Sequence, residues 1–564
     1  MSLMDRLSTW GFDPSRVAFA LRTAFAACLA LWLAKAMGLQ HPQWAAMSVW
    51  AASQPLRGQL LEKSFFRLAG TLVGTGVGLA LAVIGQAHLG YLVAGLALWV
   101  GLCTGVAQLW RGYLSYGGVL AGYSAAMVSL LDIGHPENLA ALGLDRLATV
   151  LTGVIVVTLI GLPFSPKGAV KREGALALLV EGLVMLSAPK TDTAARTDLV
   201  ARIAQTEEGL DAQAAGSRQT RATAAAVRAA LLALTGALLA PAGAALPWQA
   251  VAQAARVGDW ATAARILDMA GEADFAVALR ALSNGGEVMP RALHRDWFGA
   301  GEAAFRAALA VAVVGGIWVV TGFAGGNFML LGLSVMISVF AAMENPVAFM
   351  RHVVIGQLVG IAAMLVARWI IWPLVPSEGW LIATMVPFVF MGGALTAHRK
   401  TMFLSLDANM VFLLLLQPVW PLHGDIVQSL TLAGGVVSAP LLAWAMYWLI
   451  FPANLPRRIV TLERMMQRDL ARMAAEEPGP HRLARWQSRL SHRVMRLIRM
   501  GERAGQGGDQ ALALAATHLR AGEKVQSLHL VVGNQELPHD ARLSAAQNLV
   551  VIAHDPAAAL ARAA

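Results

Sequence analysis

Four arginines are the residues in this chain whose type and spacing could do chemistry. Arg22 and Arg67 stand 45 positions apart, and so do Arg306 and Arg351. Each lies near the start of a long apolar run, and one offset of 284 positions carries the first pair onto the second. The same offset superimposes Phe65, Gly76 and Leu81 of "FFRLAGTLVGTGVGLAL" on identical residues of "FMRHVVIGQLVGIAAML". An always-charged, fork-shaped donor set suits a carboxylate better than a lysine does. An arginine near a helix end also serves as an interfacial anchor, its stem along the apolar surface and its head in the headgroups. For Arg67 and Arg351 the two readings stay open; Arg22 and Arg306 are expected to lie a turn or more deeper, which favours the anion. Tyr116 and Tyr123, seven residues apart and so on one helical face, could supply an aromatic wall with polar handles. Trp110 and Tyr113 fit an interfacial belt better.

A carboxylate that takes up and releases protons would complete an ion-coupled site. Asp407 in "FLSLDANMVFLLLL" is the best candidate, with Asn409 two residues on; the competing reading is a helix start offsetting Arg399, Lys400 and the helix dipole. Asp132, Asp145 and Glu344 are expected to be solvated loop ends.

The elements that must hold these residues are membrane helices. Of 564 residues 57% are hydrophobic and 14% charged, with a mean hydropathy of +0.58, well outside soluble averages. Runs long enough to span a bilayer, or nearly so, fall near 17–37, 43–54, 67–86, 90–109, 113–131 and 145–164, then near 302–321, 326–343, 351–372, 378–397, 403–420 and 428–451. Between the two sets the composition turns to Ala, Arg, Asp, Glu and Gln at helical spacing, and a charged helical tail follows. The expected architecture is an all-α integral membrane protein of two repeated six-helix bundles, 1–164 and 299–452, with helical domains at 165–298 and 453–564. Arg6, Arg16 and "AKA" at 34–36 imitate a cleaved signal peptide, but the repeat argues that the segment is retained.

Lysine and arginine collect on one side of this plan, at Arg57, Lys63, Arg111, Lys167, Lys171 and Arg172 and again at Arg291, Arg295, Arg351, Arg399, Lys400, Arg457 and Arg458. That side is expected to be cytoplasmic, with both helical domains and both termini on it. The formal net charge of +10 is thereby a matter of topology and does not call for nucleic acid. Six helices per bundle give the halves the same orientation, a parallel repeat.

Gly70 and Gly74 form a GxxxG face for close helix packing. No phosphate loop is present, since "GQLLEKS" lacks the second glycine and the strand. No H-E-x-x-H, paired CxxC or nucleophile elbow occurs, and the two cysteines, Cys28 and Cys103, sit in apolar runs. The chain reads as a non-enzyme without cofactor or metal.

The stretches "HPQWAAMSVWAASQPLRGQLLEKSFFRLAGTLVG" and "SYGGVLAGYSAAM" carry Gln54-Pro55, Arg67-x-x-Gly70-Thr71-x-x-Gly74 and Leu120-Ala121-Gly122-Tyr123-Ser124-Ala125. With them, and in its layout, the chain resembles the fusaric acid resistance or aromatic acid exporter family of bacterial inner-membrane efflux proteins. The resemblance implies export of aromatic carboxylic acids with a periplasmic adaptor and an outer-membrane channel as partners. The second half reads "RHVVIGQ" from its arginine on, so the motif is intact only once and the resemblance does not imply equal roles for Arg67 and Arg351. A more distant similarity to plant aluminium-activated malate transporters implies a passive organic-anion channel instead. A non-transporting scaffold is the third reading, and whether the functional unit is a homodimer is left open.

Overall fold

The computed structural model describes residues 3–131, 139–166, 172–188, 193–239, 246–284, 295–343, 345–422, 424–452, 454–476, 480–504 and 508–561. Asp132, Glu344, Lys167, Lys171 and Arg291 lie outside them. The described residues are helical apart from their connections and one isolated bridge between Phe12 and His398. They form two compact units, 1–167 with 296–453 and 168–295 with 454–564.

The first unit holds twelve helices in two sets of six, preceded by α1 (Leu3–Thr9). The first set is α2 (Pro14–Ala36), α3 (Gln43–Ala52), α4 (Arg57–Gly85), α5 (Leu89–Leu109), α6 (Gly112–Leu131) and α7 (Leu139–Phe164). The second unit's α8 (Arg172–Ser187), α9 (Thr193–Gln213), α10 (Arg218–Leu239), α11 (Trp248–Arg256), α12 (Trp260–Met269) and α13 (Ala273–Asn284) come next. The second set follows as α14 (Trp297–Thr321), α15 (Gly326–Val339), α16 (Pro346–Leu365), α17 (Glu378–Ala397), α18 (Met402–Leu415) and α19 (Ile426–Leu449). Starts are set by side-chain caps: Asp13 accepts from Ser15 N, Asp296 from Gly299 N, Asn345 from Ala348 N and Asp425 from Gln428 N. The run expected to reach 420 stops at Leu415, because Gln417 precedes Pro418 and a residue before proline avoids the helical region.

Among the described residues, nine helices of this unit are long and apolar enough to cross a membrane, and α15 and α18 are shorter apolar helices. Leu72, Val83, Leu98, Leu159, Val320 and Trp448 are among the large apolar side chains left on its outside, a surface that lipid covers and water would not tolerate.

The two sets pack reciprocally. Within the first, α4 lies on α6, α3 on α7 and α2 on α3; within the second, α16 lies on α18, α15 on α19 and α14 on α15. Across them, α5 packs on α14 as α17 packs on α2, and α15 on α6 as α18 packs on α3. Small residues make the crossings close: a Cβ on Gly101 would stand 2.8 Å from that of Ala308, and one on Gly105 2.8 Å from that of Ala304.

In the second unit α20 (Leu455–Ala475), α21 (Pro480–Arg503), α22 (Gly508–Gly533), α23 (His539–His554) and α24 (Pro556–Ala561) join α8–α13. Although α10 is apolar and long enough to span a bilayer, Val227, Leu231 and Leu234 on it are buried against neighbours such as Leu183, Ile203 and Val494. Those neighbours sit on helices that carry charge on their other faces, and Arg228 of α10 itself pairs with Glu207 at 2.7 Å and Asp211 at 2.6 Å. It is the core helix of a helical domain.

Candidate functional site

The site begins with three glycines. Gly70, Gly74 and Gly78 of α4 face α6, and a Cβ on them would fall 2.5, 2.6 and 2.8 Å from the carbonyl oxygens of Gly117, Ala121 and Ala125. Only hydrogen fits, so the two backbones touch. That contact brings Arg67, three residues before Gly70, against the tyrosines of α6.

Arg67 is 3% exposed. Its Nη1 donates to Tyr116 Oη at 2.8 Å and its Nη2 to Ser48 Oγ of α3 at 3.3 Å. Its Nε has no acceptor, and among the described residues no carboxylate pairs with it. Tyr123 lies within electrostatic reach of the same guanidinium. Lys63, one turn earlier on α4, sets its Nζ 5.3 Å from the centre of the Tyr116 ring. Thr71 and Thr75 of α4 and Ser124 of α6 are buried hydroxyls without partners. Tyr116, Tyr123 and Arg67 are thus brought together, as the helical spacing of the tyrosines predicts.

Arg22 is half-buried and Arg306 is buried about as fully as Arg67. Both hold helix ends. Arg22 donates through Nη1 to Ser165 Oγ and through Nη2 to the Gln54 carbonyl, each at 2.8 Å, tying the end of α7 to the end of α3. Arg306 donates through Nε to the Ile450 carbonyl and through Nη2 to that of Phe451, each at 2.8 Å, just past α19. The two arginines at the 284 offset therefore do matching work, and Gln54-Pro55 is an acceptor for the first.

Arg351 is exposed where Arg67 is buried, and the helix register gives the reason. Gly356 and Gly360 of α16 face the carbonyls of Leu404 and Ala408 of α18 as Gly70 and Gly74 face α6. Arg67 stands three residues before its first glycine, about 60° round the helix, and Arg351 five before, about 140° round. Arg351 is turned out; Val353, three before Gly356, takes the inward place and is fully buried.

Asp407 sits on α18 beside Gly356, half-buried, with no ion-pair partner among the described residues. It is the sixth residue of α18, past the first turn in which a helix-start role would place it. Asn409 is buried, donating from Nδ2 to the Ser405 carbonyl at 2.8 Å with Oδ1 against Gly392 of α17.

Asp145 corrects an expectation. It is 7% exposed, not a solvated loop end: Oδ1 accepts from Gln40 N at 2.7 Å and Oδ2 meets His41 Nδ1 at 2.9 Å. Its neighbour Arg146 was not foreseen as a site residue and is 2% exposed on α7. In the sequence, an arginine just before the apolar run 147–164 reads as easily as a flanking anchor, so nothing there marked it as buried.

These features define a polytopic α-helical membrane protein with an internal cationic site in its first six-helix set. The chain belongs to the fusaric acid resistance protein family, whose model matches residues 16–284 and 241–564. It is 34% identical to the uncharacterized transporter GOX0755 of Gluconobacter oxydans over 151 residues, 26% of this chain and 20% of that protein. It is 31% identical to the uncharacterized transporter YdhK of Escherichia coli over 139 residues, 24% of this chain and 21% of that one. With the p-hydroxybenzoic acid efflux pump subunit AaeB of Edwardsiella ictaluri it shares 28% over 179 residues, 30% of this chain and 27% of that one. The matched stretch is thus a fifth to about a quarter of those relatives' lengths. No solved structure matches the chain.

Proposed function

We propose that the chain is an inner-membrane exporter of organic acids, aromatic carboxylates foremost, moving them from cytoplasm to periplasm. The observation that carries this reading is Arg67: buried, aimed by Tyr116 and Ser48, with a free Nε and no carboxylate against it. A carboxylate binds such a fork through paired hydrogen bonds, Lys63 attracts it from the helix start, and Tyr116 and Tyr123 face its ring. The name of the AaeB relatives supports the substrate class.

Export uphill needs a driving ion, and Asp407 is the proton carrier in this reading, since a carboxyl protonated on one side and ionised on the other moves one charge per cycle. The helical domains 165–298 and 453–564 and both termini are cytoplasmic, and the pump works with a periplasmic adaptor and an outer-membrane channel. Arg22 and Arg306 hold the helix ends that frame the path, and Arg351 belongs to the cytoplasmic surface.

Inverted membrane vesicles test it, because export appears there as uptake. Radiolabelled 4-hydroxybenzoate enters vesicles of the native protein when a proton gradient is applied, and Arg67→Gln and Asp407→Asn abolish that uptake. Uptake that ignores the gradient and follows voltage alone would identify a passive organic-anion channel. Gradient-driven uptake that survives Arg67→Gln would remove the carboxylate site.

A further inference from the structure

Asp145 and Arg146 are consecutive on α7, yet the carboxylate directs its hydrogen bonds away from the guanidinium. Both Asp145 oxygens are engaged by Gln40 N and His41 Nδ1, and adjacent helical residues do not face each other. Arg146 points the other way, with its Cζ 5.0 Å from the Trp44 ring centre and its Nη2 2.9 Å from Met127 Sδ. Its Nε and Nη1 have no acceptor among the described residues. Arg67, Tyr116, Tyr123 and Asp145 are within electrostatic reach, so the neighbouring carboxylate is set against another cation. A ring face and a thioether are weak partners for an always-charged fork, and a buried charge is tolerated only when paired and hydrogen-bonded. Two donors of a buried guanidinium are therefore left for an anion.

We propose that Arg146 is a second carboxylate-binding station for the transported organic anion, farther along the same file of polar groups as Arg67. Tyr116, which holds Arg67, and Met127, which touches Arg146, are eleven residues apart on α6, about 16 Å along the helix axis, and both arginine side chains reach toward the stretch between them, where each is within electrostatic reach of Tyr123. Tyr123, Thr75 and Ser124 lie between, the last two with hydroxyls that have no partner. At the second station the guanidinium takes the carboxylate while Trp44 and Met127 supply an apolar wall. Trp44 is fixed by His41, whose ring stacks on it at 4.1 Å, and His41 is fixed in turn by Asp145. The proposal rests on the reading of Arg67 for its place in a path, whereas binding at Arg146 stands on the unpartnered donors alone.

Equilibrium dialysis of the full chain in detergent against radiolabelled benzoate tests both. The native protein binds two equivalents, Arg146→Gln one, Arg67→Gln one, and the double variant none; uncharged benzamide does not compete. Arg146→Gln binding as much benzoate as the native protein overturns the second station. If Arg67→Gln loses nothing while Arg146→Gln loses one equivalent, the inner site fails and the second station stands. Arg146→Lys covers a glutamine variant that does not fold: it keeps the charge and loses the fork, so one of the two affinities drops tenfold or more, and unchanged affinity overturns the proposal.

Discussion

A methyl group placed on Gly74 tests whether the α4–α6 contact builds the Arg67 site. The new carbon would lie 2.6 Å from the Ala121 carbonyl oxygen and 2.6 Å from Ser124 Cβ, about 0.8 Å inside the 3.4 Å at which ordinary contact begins. Neither neighbour can rotate away, since one is backbone and the other is fixed to it. Helix α6 must therefore yield by most of that distance, an overpacking that costs about 1–3 kcal/mol. The same displacement stretches the 2.8 Å bond from Arg67 to Tyr116 toward 3.6 Å, where it no longer holds. Gly76→Ala is the control, because Gly76 is exposed on the same helix with nothing within 4 Å of an added Cβ. Alanine there gains up to about 1 kcal/mol of helix propensity. In detergent melts Gly74→Ala unfolds at lower temperature and Gly76→Ala at equal or higher temperature. In inverted vesicles only Gly74→Ala loses 4-hydroxybenzoate uptake. Equal melting and equal uptake by the two variants would refute the argument that this crossing positions the arginine.

Arg22→Gln and Arg306→Gln each leave helix-end carbonyls unsatisfied and lower stability by about 1–3 kcal/mol, read as a lower melting temperature; a raised KM for aromatic acid at unchanged melting would instead place them on the substrate path. In the second unit Asp469 meets Arg493 at 2.8 Å with both side chains largely buried, so Asp469→Asn removes the carboxylate that balances this guanidinium, leaving its bond to the Met465 carbonyl, and costs about 3–5 kcal/mol; replacing both by apolar residues restores most of it, as chemical denaturation will show. His518 is buried on α22 with Nδ1 on the Leu514 carbonyl, and burial holds its pKa below the ordinary 6.5 despite Glu463 nearby. Its folded value is depressed, so its contribution is complete above pH 6.5 and is lost as pH falls through the folded value. The melting temperature therefore drops on that acid side, and His518→Leu flattens the drop.

The helix plan was legible because a span must be about 20 apolar residues and its ends must be marked by caps, charges or proline. The Gly70-Gly74 face was legible for the same kind of reason, as four-residue spacing fixes one side of a helix. What stayed hidden depends on rotation and on neighbours. Arg67 and Arg351 look alike in a linear offset, but a shift of two residues relative to the packing glycines turns one inward and the other out. Asp145 reads as a solvated loop end in the sequence, whereas the helix buries it and turns Arg146 beside it to different partners. The stretch Arg218–Leu239 has the length of a span, but the charged, Ala-rich composition around it places it in a helical domain, where the helices packed on it make it a core.

The two halves keep one plan of packing and differ in where they put charge. The first buries Arg67 and Arg146 against tyrosine, serine, methionine and tryptophan; the second fills the inward place before its glycines with Val353. Each uncompensated charge inside a membrane costs about 2.5–3.5 kcal/mol on insertion scales, so a second cationic site would double that cost for no added path. A half relieved of the cationic site is free to carry a group of the opposite sign, and Asp407 stands beside Gly356, on the very face that packs α18 against α16. An anion gathered by one half and a proton carried by the other would then meet as opposite charges in a single helical unit. That arrangement requires that Asp407→Asn uncouple the transport while leaving benzoate binding at the arginines intact.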